Sequence, residues 1–190
     1  MAIYTNGAWV NPENKYPVAR SSKIKASDTG HIYDLLDTEN DVYQGANIKP
    51  GSYTGNGLQE RIAETPAIND EIAFVCDVPL LYEEYKTSDQ FEWKYINKKG
   101  KDFKAYEVVP NDVFGVSDYA FTTVADSNDP VKVNNYVVVD GNRGWKELAT
   151  MPDASATGFI GKILGYEKYQ FDTVVLVHVI QNKTVAAAGA

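Results

Sequence analysis

Residues 172–180, Asp-Thr-Val-Val-Leu-Val-His-Val-Ile, carry apolar side chains on both alternations of a strand. Val175, Val177 and Val179 fall on one face, and Val174, Leu176 and Ile180 fall on the other. Side chains in a strand alternate with a period of two, so such a segment buries its apolar groups only if both faces are covered. It therefore belongs at the centre of a sheet, or in a barrel wall with something packed outside it. Gly158 to Glu167 reads as its hairpin partner, with the turn near Lys168 to Phe171. Gly161 and Gly165 lie four apart on one face of that partner, where glycines often mark the coil points of a small barrel.

The rest of the chain agrees. Its 20 valines and 11 isoleucines stand against 8 leucines and 2 methionines, and 13 Tyr, 7 Phe and 3 Trp add 23 aromatics. Branched and aromatic side chains suit a pleated surface, whereas helices favour Leu, Met, Ala and Glu. Strands are expected over Glu71 to Cys76 and Asp102 to Val109. A hairpin is expected from Tyr136–Val139 to Trp145–Leu148 through the turn that opens Asp140-Gly141. Short helical turns are expected at His31 to Leu36, capped by Asp28, and at Leu80 to Lys86 after Pro79. The fold class is all-β: a compact antiparallel β-barrel or sandwich with short helical turns and an extended N-terminal arm.

Charge divides the chain. Of the net −8, residues 1–25 carry +3 through Lys15, Arg20, Lys23 and Lys25 against Glu13, which leaves −11 on the other 165 residues. Pro12 and Pro17 interrupt regular structure there, and Tyr4, Trp9 and Tyr16 give the stretch apolar weight. We read residues 1–25 as an extended basic and aromatic arm, residues 26–182 as one β-rich domain, and residues 183–190 as a disordered tail. A second basic run, Lys94, Lys98, Lys99, Lys101 and Lys104, turns at Asn97 and Gly100. On an acidic chain this reads as a solvated hairpin tip rather than a nucleic-acid surface. Pro66-Ala67-Ile68-Asn69-Asp70 and Val109-Pro110-Asn111-Asp112 each place Asn-Asp before an aliphatic and aromatic run, a repeated device for entering a strand.

The residues that carry chemistry are few. His178 lies within the last strand and reads as a core residue, and Cys76 reads as a small hydrophobe at a strand end. His31, between Asp28 and Asp34, is the one candidate base, and no Gly-x-Ser-x-Gly accompanies it. One cysteine makes no internal disulfide, and the longest apolar run, Ile72 to Cys76, is far below the ~20 residues that cross a bilayer. Met1 to Asn6 has neither a basic nor an apolar leader region, so no signal peptide is read. Asp37-Thr38-Glu39-Asn40-Asp41 spaces oxygen ligands alternately, but Val42 and Ile48 stand where an EF-hand needs Gly and Glu. Calcium by another geometry stays open there, and Asp126 to Asp129 is a second acidic loop. Gly51 to Gly57 reads as a flexible loop and not a phosphate cradle. The chain is expected to be no enzyme, with no cofactor, no resident metal, no membrane and no specific nucleic-acid partner.

The order of signals carries a resemblance. It runs Lys23-Ile24-Lys25-Ala26-Ser27-Asp28-Thr29-Gly30-His31-Ile32-Tyr33, Val42-Tyr43-Gln44-Gly45, Ala105-Tyr106-Glu107-Val108-Val109 and Asp112-Val113-Phe114-Gly115-Val116-Ser117. Gly158-Phe159-Ile160-Gly161-Lys162-Ile163 and Phe171-Asp172-Thr173-Val174-Val175-Leu176 complete it. Over residues 20 to 180 this resembles the small virion proteins of tailed bacteriophages encoded beside the major capsid protein. The resemblance implies a head decoration, cement or fibre-anchor protein, made in the host bacterial cytoplasm and carried in the virion. Its partner would be the major capsid protein, and it would associate with itself as a homo-oligomer. Trp9, Tyr16, Arg20 and Lys23 are the expected anchors of the arm. Two alternatives stay open: a carbohydrate- or receptor-binding β-module stacking sugars on Trp93, Tyr95 or Trp145, and a small hydrolase using His31.

Overall fold

The computed structural model describes residues 3–5, 8–10, 17–24, 31–55, 60–77, 95–123, 131–169 and 172–186. Among these residues the fold is all-β, and its helical content is one 3₁₀ turn, Asp118–Ala120.

Two hydrogen-bonded systems make up the body. The first is a seven-stranded sheet of β3 (Ala19–Lys23), β9 (Val113–Ser117), β10 (Phe121–Thr123), β11 (Tyr136–Val139), β12 (Trp145–Leu148), β13 (Phe159–Tyr169) and β14 (Asp172–Asn182). Its order is β10-β12-β11-β13-β14-β9-β3, antiparallel throughout except where β10 runs parallel to β12. The second is a closed barrel of β4 (Ile32–Leu36), β5 (Asn47–Tyr53), β6 (Arg61–Glu64), β7 (Ala73–Val75) and β8 (Asp102–Glu107), in the order β4-β6-β5-β7-β8. Closure removes the free edges that an open five-stranded sheet would expose. A separate two-stranded hairpin joins β1 (Ile3–Thr5) to β2 (Ala8–Val10).

β14 lies between β13 and β9, as its two apolar faces require, and Val174, Val175, Val177 and Val179 are all fully buried. Leu176, Ile180 and His178 on the second face are half-buried, so His178 is less enclosed than its apolar neighbours suggested. The β13–β14 register slips at Ile160/Gly161 and again at Ile163/Gly165. Both glycines thus sit at bulges, which bend and twist the long hairpin, though of the open sheet rather than of the barrel.

The strand β7 joins the two cores. Ala73 and Val75 point into the barrel with Leu35, Ile48 and Phe103. Phe74, between them, points the other way into the core of the large sheet. There it packs on Phe114 at 4.5 Å between ring centres, with Trp145 and Phe159 completing the cluster. The period-two alternation of three residues therefore serves two hydrophobic cores.

Four expectations are corrected. Residues 31–36 form no helical turn. Tyr33 and Leu35 alternate inward as β4, and pairing with β8 along its whole length outweighs a local cap. The arm does not extend to residue 25: Ala19–Lys23 is an edge strand paired with β9, and Val18 is fully buried. The chain is not loose from residue 183 either, because Lys183 N–H donates to Gly158 and Val185 exchanges hydrogen bonds with Asn69. Gly51 to Tyr53 belongs to β5 and not to a flexible loop. Asp28, the Leu80–Lys86 turn, Asp126–Asp129 and residues 187–190 lie outside the described residues.

The repeated Asn-Asp device is one structure made twice. Asp70 N–H donates to Ala67 O, and Asp70 Oδ2 accepts Ala67 N–H at 2.9 Å. Asp112 N–H donates to Val109 O, and Asp112 Oδ2 accepts Val109 N–H at 3.0 Å. Each carboxylate closes its turn just before β7 or β9.

Candidate functional site

The acidic loop after β4 is built around a buried carboxylate. Asp37, 4% exposed, accepts the backbone N–H groups of Glu39 and Asn40 on Oδ1, each at 2.8 Å, in a side-chain-closed turn. Its Oδ2 accepts Arg143 Nη1 at 2.5 Å. Burial pushes the Asp37 pKa upward, but the two N–H groups and the guanidinium together outweigh it and hold the carboxyl below its ordinary 3.8. At the far end of the loop, Asp41 Oδ2 accepts Lys98 Nζ at 2.9 Å and Oδ1 accepts Lys99 N–H at 3.0 Å. The Lys98 bond, followed by that backbone N–H, keeps the Asp41 pKa low as well. Both aspartates have their oxygens engaged by N–H donors and cations, which closes the loop at both ends. Among the described residues no three His, Cys, Asp or Glu side chains are grouped to hold a metal ion.

Arg143 comes from the opposite side, the β11–β12 turn. Asp140 Oδ1 accepts the N–H groups of Asn142 and Gly144 at 2.7 and 2.9 Å, which shapes that turn. Arg143 itself has φ +67°, a left-handed conformation costing a side-chain-bearing residue about 1 kcal/mol. From there its guanidinium reaches Asp37, and it also donates to Thr65 Oγ1 at 3.1 Å and Ala63 O at 3.3 Å. One side chain thus ties the ends of β4 and β6 to the sheet. Asn47 Nδ2 adds a bond to Gly144 O, and Trp145 Nε1 donates to Gly45 O at 2.7 Å. Gly45 has φ +77°, and a Cβ there would stand 2.5 Å from Val116 Cγ2, so only glycine fits this contact between barrel and sheet.

Between the two loops opens a cleft of about 560 Å³. Pro17, Val42, Gly45, Ala46 and Ala120 give it a lining of small apolar groups, and Tyr43 adds one aromatic ring. Glu39, Asn40, Lys99 and Asn142 line it with exposed side chains that make no hydrogen bond or ion pair among the described residues, although the charge of Lys99 also helps keep Asp41 ionised. The locked groups, Asp37, Asp41 and Arg143, thus form a frame that presents four uncommitted ones.

Of the expected anchors, Arg20 does not line this cleft. Trp9 lies on β2, opposite Tyr4 in backbone register, and Lys23 lies on β3. Arg20, also on β3, makes an ion pair with Glu167 of β13. Tyr16 lies outside the described residues, and Pro17, next to it, lines the cleft. Of the aromatics expected to stack on sugars, Trp145 is overturned: it is fully buried at the centre of the aromatic cluster. Tyr95 is half-buried, and Trp93 lies outside the described residues.

His31 Nδ1 meets Glu107 Oε2 at 2.8 Å on the barrel wall, while Asp34 faces Lys104 at 3.4 Å. Cys76 is half-buried against the sheet core, in keeping with a small hydrophobe. Of the basic run, Lys98 and Lys104 are paired with acids, and Lys94 lies outside the described residues. Sequence reasoning flagged Asp37–Asp41 for its oxygens and Asp140–Gly144 for its turn. It did not join them, because nothing local marks an arginine 106 positions away as the partner of Asp37.

No helix among the described residues is long and apolar enough to cross a membrane. Comparison with protein-family models, with curated proteins and with solved structures finds no match.

Proposed function

We propose that this chain is a non-enzymatic structural protein of a tailed-phage virion, attached to the capsid lattice in a head decoration, cement or fibre-anchor role. Its partner in this reading is the major capsid protein, and copies of the chain associate with one another on the lattice. The observation that supports it best is the placement of the N-terminus. Among the described residues, Ile3–Thr5 and Ala8–Val10 pair with each other and with no strand of the sheet or the barrel. A hairpin that belongs to neither sheet suits attachment to a partner, where ordering on contact gains area at modest affinity per unit area.

The test is a truncation whose boundary matters. Removing residues 1–16 spares Val18 and the whole of β3. The truncated chain is expected to stay folded and to lose co-sedimentation with assembled phage heads. Undiminished binding to heads overturns the proposal.

A carbohydrate- or receptor-binding module of the same particle is the second reading. The cleft between barrel and sheet favours it, with a lining that matches hydroxyl-rich ligands better than the buried Trp145 does.

A further inference from the structure

We infer that the cleft between the Asp37–Asp41 loop and the β11–β12 turn binds a neutral oligosaccharide, held by Asn40, Asn142, Glu39 and Lys99 over the small apolar lining. The inference rests on the second reading above and is independent of capsid attachment.

Size is the first argument. About 560 Å³ falls within the roughly 300–1,000 Å³ of small-ligand sites and is ample for several sugar rings. Charge is the second. Of the uncommitted groups, one carboxylate and one ammonium offset each other and two primary amides are neutral, so the site selects against strongly charged ligands. A polyanion also meets Asp41, kept ionised by Lys98 and the Lys99 N–H, and a body that is acidic overall.

The third argument is the pattern of donors and acceptors. Sugar hydroxyls both donate and accept, and adjacent hydroxyls are matched by side chains carrying two polar atoms in one plane. Asn40, Asn142 and Glu39 each supply such a pair. The apolar lining decides between sugar and peptide. Val42 and Ala46 are buried in the barrel core and Ala120 in the sheet core, so the floor of the cleft offers little apolar area to a large anchoring side chain of a peptide, while the half-buried ring of Tyr43 suits the C–H face of a sugar. Preorganisation completes the case. The frame beneath the four groups is already closed by Asp37 with Arg143 and by Asp41 with Lys98, so ordering on binding costs little.

The experiment is a titration of the ¹⁵N-labelled full chain with tetrasaccharides of glucose, N-acetylglucosamine, mannose and rhamnose, followed by amide chemical shifts. At least one is expected to shift the amides of Asn40, Tyr43, Ala46 and Asn142 in a saturable way. The double variant N40A/N142A, which removes two side chains that make no hydrogen bond among the described residues, is expected to weaken that sugar at least tenfold with an unchanged amide spectrum elsewhere. The same variant is expected to bind phage heads as the parent does, which separates failure of this inference from failure of the capsid proposal. Four outcomes overturn the inference: no saturable shifts with any of the four sugars, shifts confined to another face, tighter binding of heparin than of any neutral sugar, or a double variant that binds as well as the parent.

Discussion

Asp37 and Arg143 stand 106 positions apart and meet at 2.5 Å across the joint between barrel and sheet. With the aspartate side chain 4% exposed and the arginine side chain 16%, the pair is shielded from solvent, and each residue holds a loop in place besides its partner. Loss of one partner leaves the other charge buried, which is the costly way to disturb such a pair. R143A and D37A are each expected to cost about 3 kcal/mol in urea unfolding, and the double variant less than the sum. R143G removes the same contacts but relaxes the left-handed backbone, and it should be about 1 kcal/mol less damaging than R143A. Equal effects of R143G and R143A would show that Arg143 is not strained where it stands.

The same pair governs behaviour in acid. The Asp37 pKa in the folded chain lies below its ordinary value of 3.8, so the folded state binds fewer protons there than the unfolded state. The stability it contributes is complete above about pH 4 and drains away as pH falls through the folded value. Unfolding free energies measured from pH 2 to 5 should therefore drop below pH 4, and D37N should flatten that drop. A slope in D37N equal to that of the parent would assign the acid sensitivity to other carboxylates.

Matched turns predict matched effects. Asp112 and Asp70 each accept the N–H of the residue three positions earlier, and Asp70 also accepts Lys49 Nζ at 3.0 Å. D112A and D70A are each expected to cost about 1.5–3 kcal/mol, the range for a hydrogen bond to a charged group. D70A also takes the partner from Lys49, so adding K49A to D70A should cost little more. Thermal melts of the variants, run side by side, check both expectations.

Gly158 tests close packing without backbone strain. A Cβ there would lie 2.1 Å from Asp70 O, a backbone atom that cannot turn aside, and Gly158 N–H already donates to Ile68 O. G158A is expected to destabilise by about 3 kcal/mol or more, at the upper end of overpacking costs. G141A meets open space and should cost only about 1 kcal/mol from its positive φ. Calorimetric melting of both variants distinguishes steric overlap from backbone preference.

Truncation separates hairpin from body. Removing residues 1–24 takes away β3 together with the buried Val18 and Ala19, and with them the bond from Val18 N–H to Ser117 Oγ at 2.9 Å. That deletion should lower the melting temperature well below that of a chain lacking only residues 1–16. Identical melting curves would mean that β3 contributes nothing to the fold.

Where a signal was local, the sequence already contained it. Tyr136–Val139 and Trp145–Leu148 pair as read, because a turn beginning Asp-Gly sets both the geometry and the register of the strands beside it. The central place of β14 followed from apolar residues at both alternations, and the two Asn-Asp turns followed from side chains that reach only three residues away. His31–Leu36 was misread because its helical signal was also local, and the competing contact, β8, lies some seventy residues further on.

The cleft was legible only in halves. Asp37–Asp41 and Asp140–Gly144 stood out as an acidic loop and a turn, each shaped by its own backbone hydrogen bonds. Their meeting depends on Phe74 sending its ring into one core while Ala73 and Val75 fill the other, and on Gly45 letting the two cores touch. Composition and alternation determined that this chain is built of strands and which of them is central, since those depend on each residue's own shape and period. Which strands closed into a barrel, where β3 ended the arm, and which side chains gathered around a cleft were decided by contacts between distant segments, and no local pattern encodes those.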